Sequence, residues 1–146
     1  MRKIAVYYVG NNNNIRQNNV DEKKIDDWCT NNHYDYDLFK DYVSDYSDTK
    51  DRLSLNRLKT DIIYGDYDRI VILSLPNVSN NIFFNAEFVR YVHAHHCNLI
   101  SLDGTNPLLL IDFCIDLLDE IEKFDKEREE NMVWKKKWKI REIDLN

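Results

Sequence analysis

Pro76, Asn77, Ser79 and Asn80 follow directly on Ile70–Leu73, a short apolar run rich in β-branched residues, and so stand where the chain leaves the carboxyl end of a buried strand. In open α/β folds that is where ligands and catalytic groups gather. None of the four is charged. Ser74 and Ser79 offer hydroxyls for nucleophilic chemistry, but no His or Lys stands close in sequence to take the proton, so a structural role is expected for both. His93, His95, His96 and Cys97 are metal-ligating types, with His93 and His96 one helical turn apart. They span opposite helix faces and no second ligand pair has a recognisable spacing. The expectation is no metal and no cofactor, the rings gathering at a helix end that the dipole favours. Tyr7 and Tyr8 read as strand residues, with a tyrosyl nucleophile left open. Lys135, Lys136, Lys137, Lys139 and Arg141, interleaved with Trp134 and Trp138, form the dense positive stretch. They are the candidate DNA-phosphate contacts; a solvated face, or tryptophans packed on a partner, are the alternatives.

At 146 residues the chain suits one compact domain with a proper core. Its 43% hydrophobic and 32% charged residues fit a folded protein. A net charge of -6 means that the average surface repels a phosphate backbone, so any nucleic-acid contact must be local. The three cysteines, Cys29, Cys97 and Cys114, are odd in number and set in apolar patterns, which points to reduced, buried thiols and a cytoplasmic location. No stretch approaches the roughly 18 apolar residues of a membrane span, and no signal peptide is visible.

These residues must be positioned by an alternation of strands and helices. Ile4–Val9 predicts an internal strand ended by Gly10, and Asn11–Asn19 a polar loop. A helix is expected from Val20 to about Asn32, then a tyrosine-rich strand through Val43. Leu53, Leu55, Leu58, Ile62 and Ile63 have helical spacing, with Gly65 as a stop. After the Ile70–Leu73 strand, a helix from Ile82, a short strand over Asn98–Leu102 and a long helix from Pro107 complete the chain. In that helix Leu110, Cys114, Leu117, Ile121 and Phe124 step by four and three, a seam pattern widened by Ile111, Ile115 and Leu118. Such an apolar band predicts burial against both its own sheet and a partner chain. The fold class is therefore α/β, with a largely parallel central sheet.

Over about the first 130 residues these pieces resemble the catalytic domain of the serine recombinases, the resolvase and invertase family. Arg2-Lys3-Ile4-Ala5-Val6-Tyr7 is similar to the family's first strand, and Asp41 stands where the family has an acidic residue after strand two. Arg52 to Ile62 is similar to its Arg-Pro-x-x-x-x-Leu helix. Asp68-Arg69-Ile70-Val71 matches the central strand, Leu99-Ile100-Ser101-Leu102 the next, and Phe124-Asp125-Lys126-Glu127 the Phe-Glu-Arg-Glu of the long helix.

The resemblance implies a resolvase-like three-layer fold, with 1-130 as the domain including the start of the long helix, and 131-146 as a basic helical extension or tail. It also implies a serine nucleophile in Tyr-x-Arg-x-Ser and arginines in Asp-Arg-x-x-Arg. Tyr7 is kept, but the arginine position is Val9 and the nucleophile position Asn11, while Pro76, Asn77 and Asn80 occupy the second motif. An amide nitrogen has no basic lone pair with which to attack phosphorus, and the loss of one preorganised stabiliser alone typically costs ~10² to 10³ in rate. The sequence thus predicts a pseudoenzyme linked to DNA recombination or mobile elements. It would form a homodimer or higher oligomer through the long helix, or pair with an active recombinase. A divergent, active serine recombinase is the alternative.

Overall fold

The computed structural model describes the backbone of residues 3–144 and the side chains of residues 3–127. In order, the elements are β1 (Lys3–Asn11), α1 (Ile15–Asn31), β2 (Asp35–Val43), α2 (Leu53–Ile63), β3 (Arg69–Ile72), α3 (Leu75–Val78), α4 (Ile82–Ala94), β4 (Asn98–Ser101) and α5 (Leu108–Asp144). The strands make one sheet in the order β2-β1-β3-β4, and every pairing is parallel. Two compact units are distinguished, Met1–Ile111 and Asp112–Asn146.

The strand alternation of β1 divides the core in two. Ala5, Tyr7 and Val9 join Leu55, Leu58 and Ile62 of α2 and Phe88 and Val92 of α4. Ile4, Val6 and Tyr8 join Ile25 and Cys29 of α1. Helices therefore cover both faces, which makes three layers, and explains why β1 reads as a continuous apolar run. All six of those β1 residues are fully buried.

Two expected loops are helical. Within Asn11–Asn19, Asn14 caps a helix that already begins at Ile15, its side chain accepting the Gln17 N–H. The segment after β3 turns into the short α3 because Ser74 accepts the Asn77 N–H and Pro76 fits the first turn. The ends of α1, α2 and α4 share one device, a residue at positive φ following the cap: His33 (φ 59), Gly65 (φ 74) and His96 (φ 60). In each, two backbone N–H groups turn back onto the last carbonyls, as in His96 to His93 and Cys97 to Val92.

All three cysteines are free and buried. Among the described residues no helix is long and apolar enough to cross a membrane.

Candidate functional site

From β1 the chain passes to β2 on one side, and from β2 it returns to β3 on the other side of β1. The switch point, where open α/β sheets form their ligand crevice, is thus the gap between the carboxyl ends of β1 and β3. Pairing between them stops at Tyr7 and Ile72, while β1 runs on to Asn11. Backbone groups of β1 beyond Tyr7 on the β3 side therefore need other partners, because a buried peptide group left unpaired costs about 1–3 kcal/mol.

Two carboxamides supply them. Asn77, from α3, accepts the Val9 N–H at 3.3 Å through Oδ1 and donates Nδ2 to the Val9 carbonyl at 2.9 Å. Asn18, from α1, does the same one step on: Oδ1 accepts the Asn11 N–H at 3.0 Å and Nδ2 donates to the Asn11 carbonyl at 2.9 Å. A side-chain amide can offer one N–H and its carbonyl oxygen in a plane, as a peptide does, so each prolongs the ladder where β3 has ended. The crevice is bridged from both sides by the protein's own groups.

Behind it lies a buried polar triad. Asp41 belongs to β2, not to the loop after it, and its carboxylate accepts the N–H groups of Ser54 (2.9 Å) and Leu55 (3.0 Å) at the start of α2, together with the Tyr7 hydroxyl (2.8 Å). It caps α2 from a neighbouring strand, where Arg52 at the N-cap position supplies no side-chain bond. Arg52 is itself only 3% exposed. Its guanidinium donates to the Tyr7 hydroxyl (3.2 Å), the Val78 carbonyl (2.9 Å) and, through Nε and Nη2, the Asp48 carbonyl, and it lies over the Phe84 ring. This cation is committed to holding the β2–α2 connection, α3 and β1 together.

The hydroxyls of Ser79, Tyr7 and Tyr8 are similarly engaged. Ser79 is 1% exposed, donates to the Tyr46 carbonyl (3.1 Å) and accepts the Asn81 N–H (2.9 Å). Burial, then the Asp41 carboxylate, pushes the Tyr7 hydroxyl well above the ordinary phenol range against the opposing pull of Arg52. Tyr8, donating to Asp21 (2.8 Å) and Asn18 (3.2 Å), is raised by burial and by the Asp21 carboxylate. Both rings are fully buried and both hydroxyls stay protonated, so a tyrosyl nucleophile, left open by the sequence, has no support here.

Of the five positions that the resemblance singles out, Val9 and Asn77 are in direct contact. Val9 is buried in the core, Asn11 is half-buried with Oδ1 accepting the Asn13 N–H (2.8 Å), and Asn77 is the bridge just described. Pro76 and Asn80 are exposed.

The histidine cluster is drawn apart. His95 donates Nδ1 to the Tyr91 carbonyl at 2.8 Å and packs on the Tyr91 ring, His96 is the positive-φ residue ending α4, and the Cys97 thiol donates to the Tyr67 carbonyl at 3.1 Å. Along α5, Cys114 is buried and Leu110 and Leu117 are half-buried, whereas Ile121 and Phe124 are exposed along with Phe113, Ile115 and Leu118. Lys135, Lys136, Lys137, Lys139 and Arg141 fall within the helical span of α5, and their side chains lie outside the described residues.

Sequence reasoning missed Asn18 and the structural part played by Arg52. Asn14-x-x-Gln17 was the available signal for the first. It marks a helix start and places Asn18 in line with Asp21, Ile25 and Cys29 on one face. For the contacts of Arg52 with Val78 and Tyr7 there was no local signal, since these partners are 26 and 45 positions away.

No protein-family model and no curated protein matches the chain. Solved structures do. A resolvase family site-specific recombinase from Streptococcus pneumoniae superposes with a TM-score of 0.67 at 16% identity, covering 92% of this chain and 98% of that one. The N-terminal catalytic domain of TP901-1 integrase gives 0.63 at 17%, covering 86% and 97%. The first open reading frame of transposon ISC1904 from Sulfolobus solfataricus P2 gives 0.54 at 19%, covering 86% and 88%. The fold is thus that of the resolvase-type serine recombinase catalytic domain.

Proposed function

We propose that this chain is a non-catalytic resolvase-fold protein acting in DNA recombination or the upkeep of mobile elements, as a self-associating module or as the partner of an active recombinase. The observation that carries the reading is the pair of carboxamide bridges. Asn77 and Asn18 each turn an N–H and the amide oxygen onto β1 in the crevice where strand cleavage would need a free nucleophile and an open positive clamp. Arg52, a guanidinium at that rim, is taken up by backbone carbonyls and a buried phenol. The link to recombination rests on likeness of fold. Association through α5 is supported by its exposed apolar residues Phe113, Ile115, Leu118, Ile121 and Phe124.

The test is a denaturing-gel assay for covalent protein–DNA adducts on supercoiled and nicked substrates, run beside light scattering. No adduct, with a mass of twice the chain or more at micromolar concentration, is expected. An adduct that disappears in Ser79→Ala would establish the divergent recombinase instead, and a strict monomer would remove self-association.

A further inference from the structure

Tyr7 and Tyr8 point to opposite faces of β1, and each donates its hydroxyl to a buried aspartate at 2.8 Å. The two aspartates are compensated very differently. Asp41 faces two N–H groups at the start of α2 and shares the Tyr7 hydroxyl with the Arg52 guanidinium. Asp21, on α1, is only 8% exposed and has neutral donors alone: the Tyr8 hydroxyl on Oδ2 and the Gln17 amide on Oδ1, at 2.8 Å. Even the Tyr8 proton is divided, since Asn18 Oδ1 lies 3.2 Å from the same hydroxyl. Lys40, on β2, is bound to Glu22 instead. Among the described residues no Lys, Arg or His pairs with Asp21.

A carboxylate can accept about four hydrogen bonds, and it is costly to bury without an opposite charge. A charge kept at such a cost marks a functional-site candidate. Its place fits, because Asp21 adjoins Asn18 on the α1 side of the crevice at the carboxyl end of β1. The half-buried Tyr46 is close enough that the Asp21 carboxylate, after burial, raises its hydroxyl above the ordinary phenol range. Gln17 stands apart from these neighbours. It is exposed, lies one turn before Asp21 and covers Oδ1 through a single bond, so rotation of a solvated side chain uncovers that oxygen.

We propose that Asp21 anchors a site for an organic cation, a guanidinium or alkylammonium group, which displaces the Gln17 amide from Oδ1 while Tyr8 keeps Oδ2. One carboxylate among amides and phenols suits such a group. A divalent metal demands a fuller set of oxygen ligands, and no group of three or more His, Cys, Asp or Glu among the described residues is placed to hold one. The same chemistry serves a small free amine or a protein side chain. The site stands without the self-association proposed above.

The experiment titrates the full chain with methylguanidinium, methylammonium and tetramethylammonium, the last unable to donate a hydrogen bond, at fixed ionic strength. Nuclear magnetic resonance of the Asp21 carboxyl carbon and the Gln17 side-chain amide should show saturable shifts with the first two and none with the third. Gln17→Ala, read at the Asp21 carboxyl, should bind severalfold more tightly, because no amide has to leave. Asp21→Asn, read at the Gln17 amide, should lose the shift. With the uncompensated charge gone it should also unfold about 3–5 °C higher than the parent, whereas Asp41→Asn should unfold lower. Blocked arginine amide binding at least as tightly as methylguanidinium would identify a protein side chain as the natural occupant; its exclusion, with methylguanidinium still bound, would identify a small amine. Equal shifts from all three cations, or shifts that survive Asp21→Asn, would overturn the site. So would an Asp21→Asn protein that unfolds as early as Asp41→Asn while Gln17→Ala binds no more tightly than the parent.

Discussion

Removing the Asn77 carboxamide strands the N–H and carbonyl of Val9, a residue with no exposure to solvent. Each buried backbone group left without a partner costs about 1–3 kcal/mol. Asn77→Ala should therefore destabilise the fold by about 2–4 kcal/mol, allowing for partial relief as α3 shifts and water enters. With a urea slope of roughly 1–3 kcal/mol/M, the midpoint should fall by about 1–2 M. Asn77→Asp sharpens the test, because it keeps the shape and the acceptor but turns the donor into a second acceptor facing the Val9 carbonyl. Burial and that carbonyl disfavour the introduced carboxylate, so its pKa in the folded state lies above the unfolded value of about 3.9. A group raised on folding contributes fully below its unfolded pKa and loses the contribution as pH rises through the folded pKa. The deficit of Asn77→Asp relative to the parent should accordingly be small at pH 4 and grow toward pH 7. Urea titrations of the three proteins at several pH values read this directly. An Asn77→Ala protein within about 0.5 kcal/mol of the parent, or an Asn77→Asp deficit that ignores pH, would refute the bridge and with it the account of the crevice.

Two further outcomes are expected. His96→Gly should raise stability by about 1 kcal/mol, since glycine adopts the φ of 60 without the penalty an L side chain carries there, and a higher thermal midpoint with an unchanged spectrum would verify it. Asp37 is held below the usual carboxylate range by the Tyr67 hydroxyl and by Lys3, 3.2 Å away, so its contribution is present above the unfolded pKa of about 3.9 and is lost as pH falls through the lower folded value. Tyr67→Phe should flatten that acid limb while leaving Lys3 in place; an unaltered acid profile would show that the phenol is not what holds the carboxylate.

The order of strands and helices apart from α3, the two-sided burial of β1 and β3, and the likeness to serine recombinases could be read from the chain itself, because apolar run length and helical spacing are local properties repeated over many residues. What the side chains of Asn18, Asn77, Asp41 and Arg52 do was not legible. Read in order, Asn77 is one uncharged loop residue among several, and only the parallel pairing that ends at Tyr7 and Ile72 leaves Val9 with groups for it to bind. Arg52 looks like a helix-start residue until folding brings Tyr7 and the Val78 carbonyl to it from 45 and 26 positions away. Residue type limited what each group could offer, but its partner was set by the register of the sheet, a contact between distant segments that no local pattern encodes.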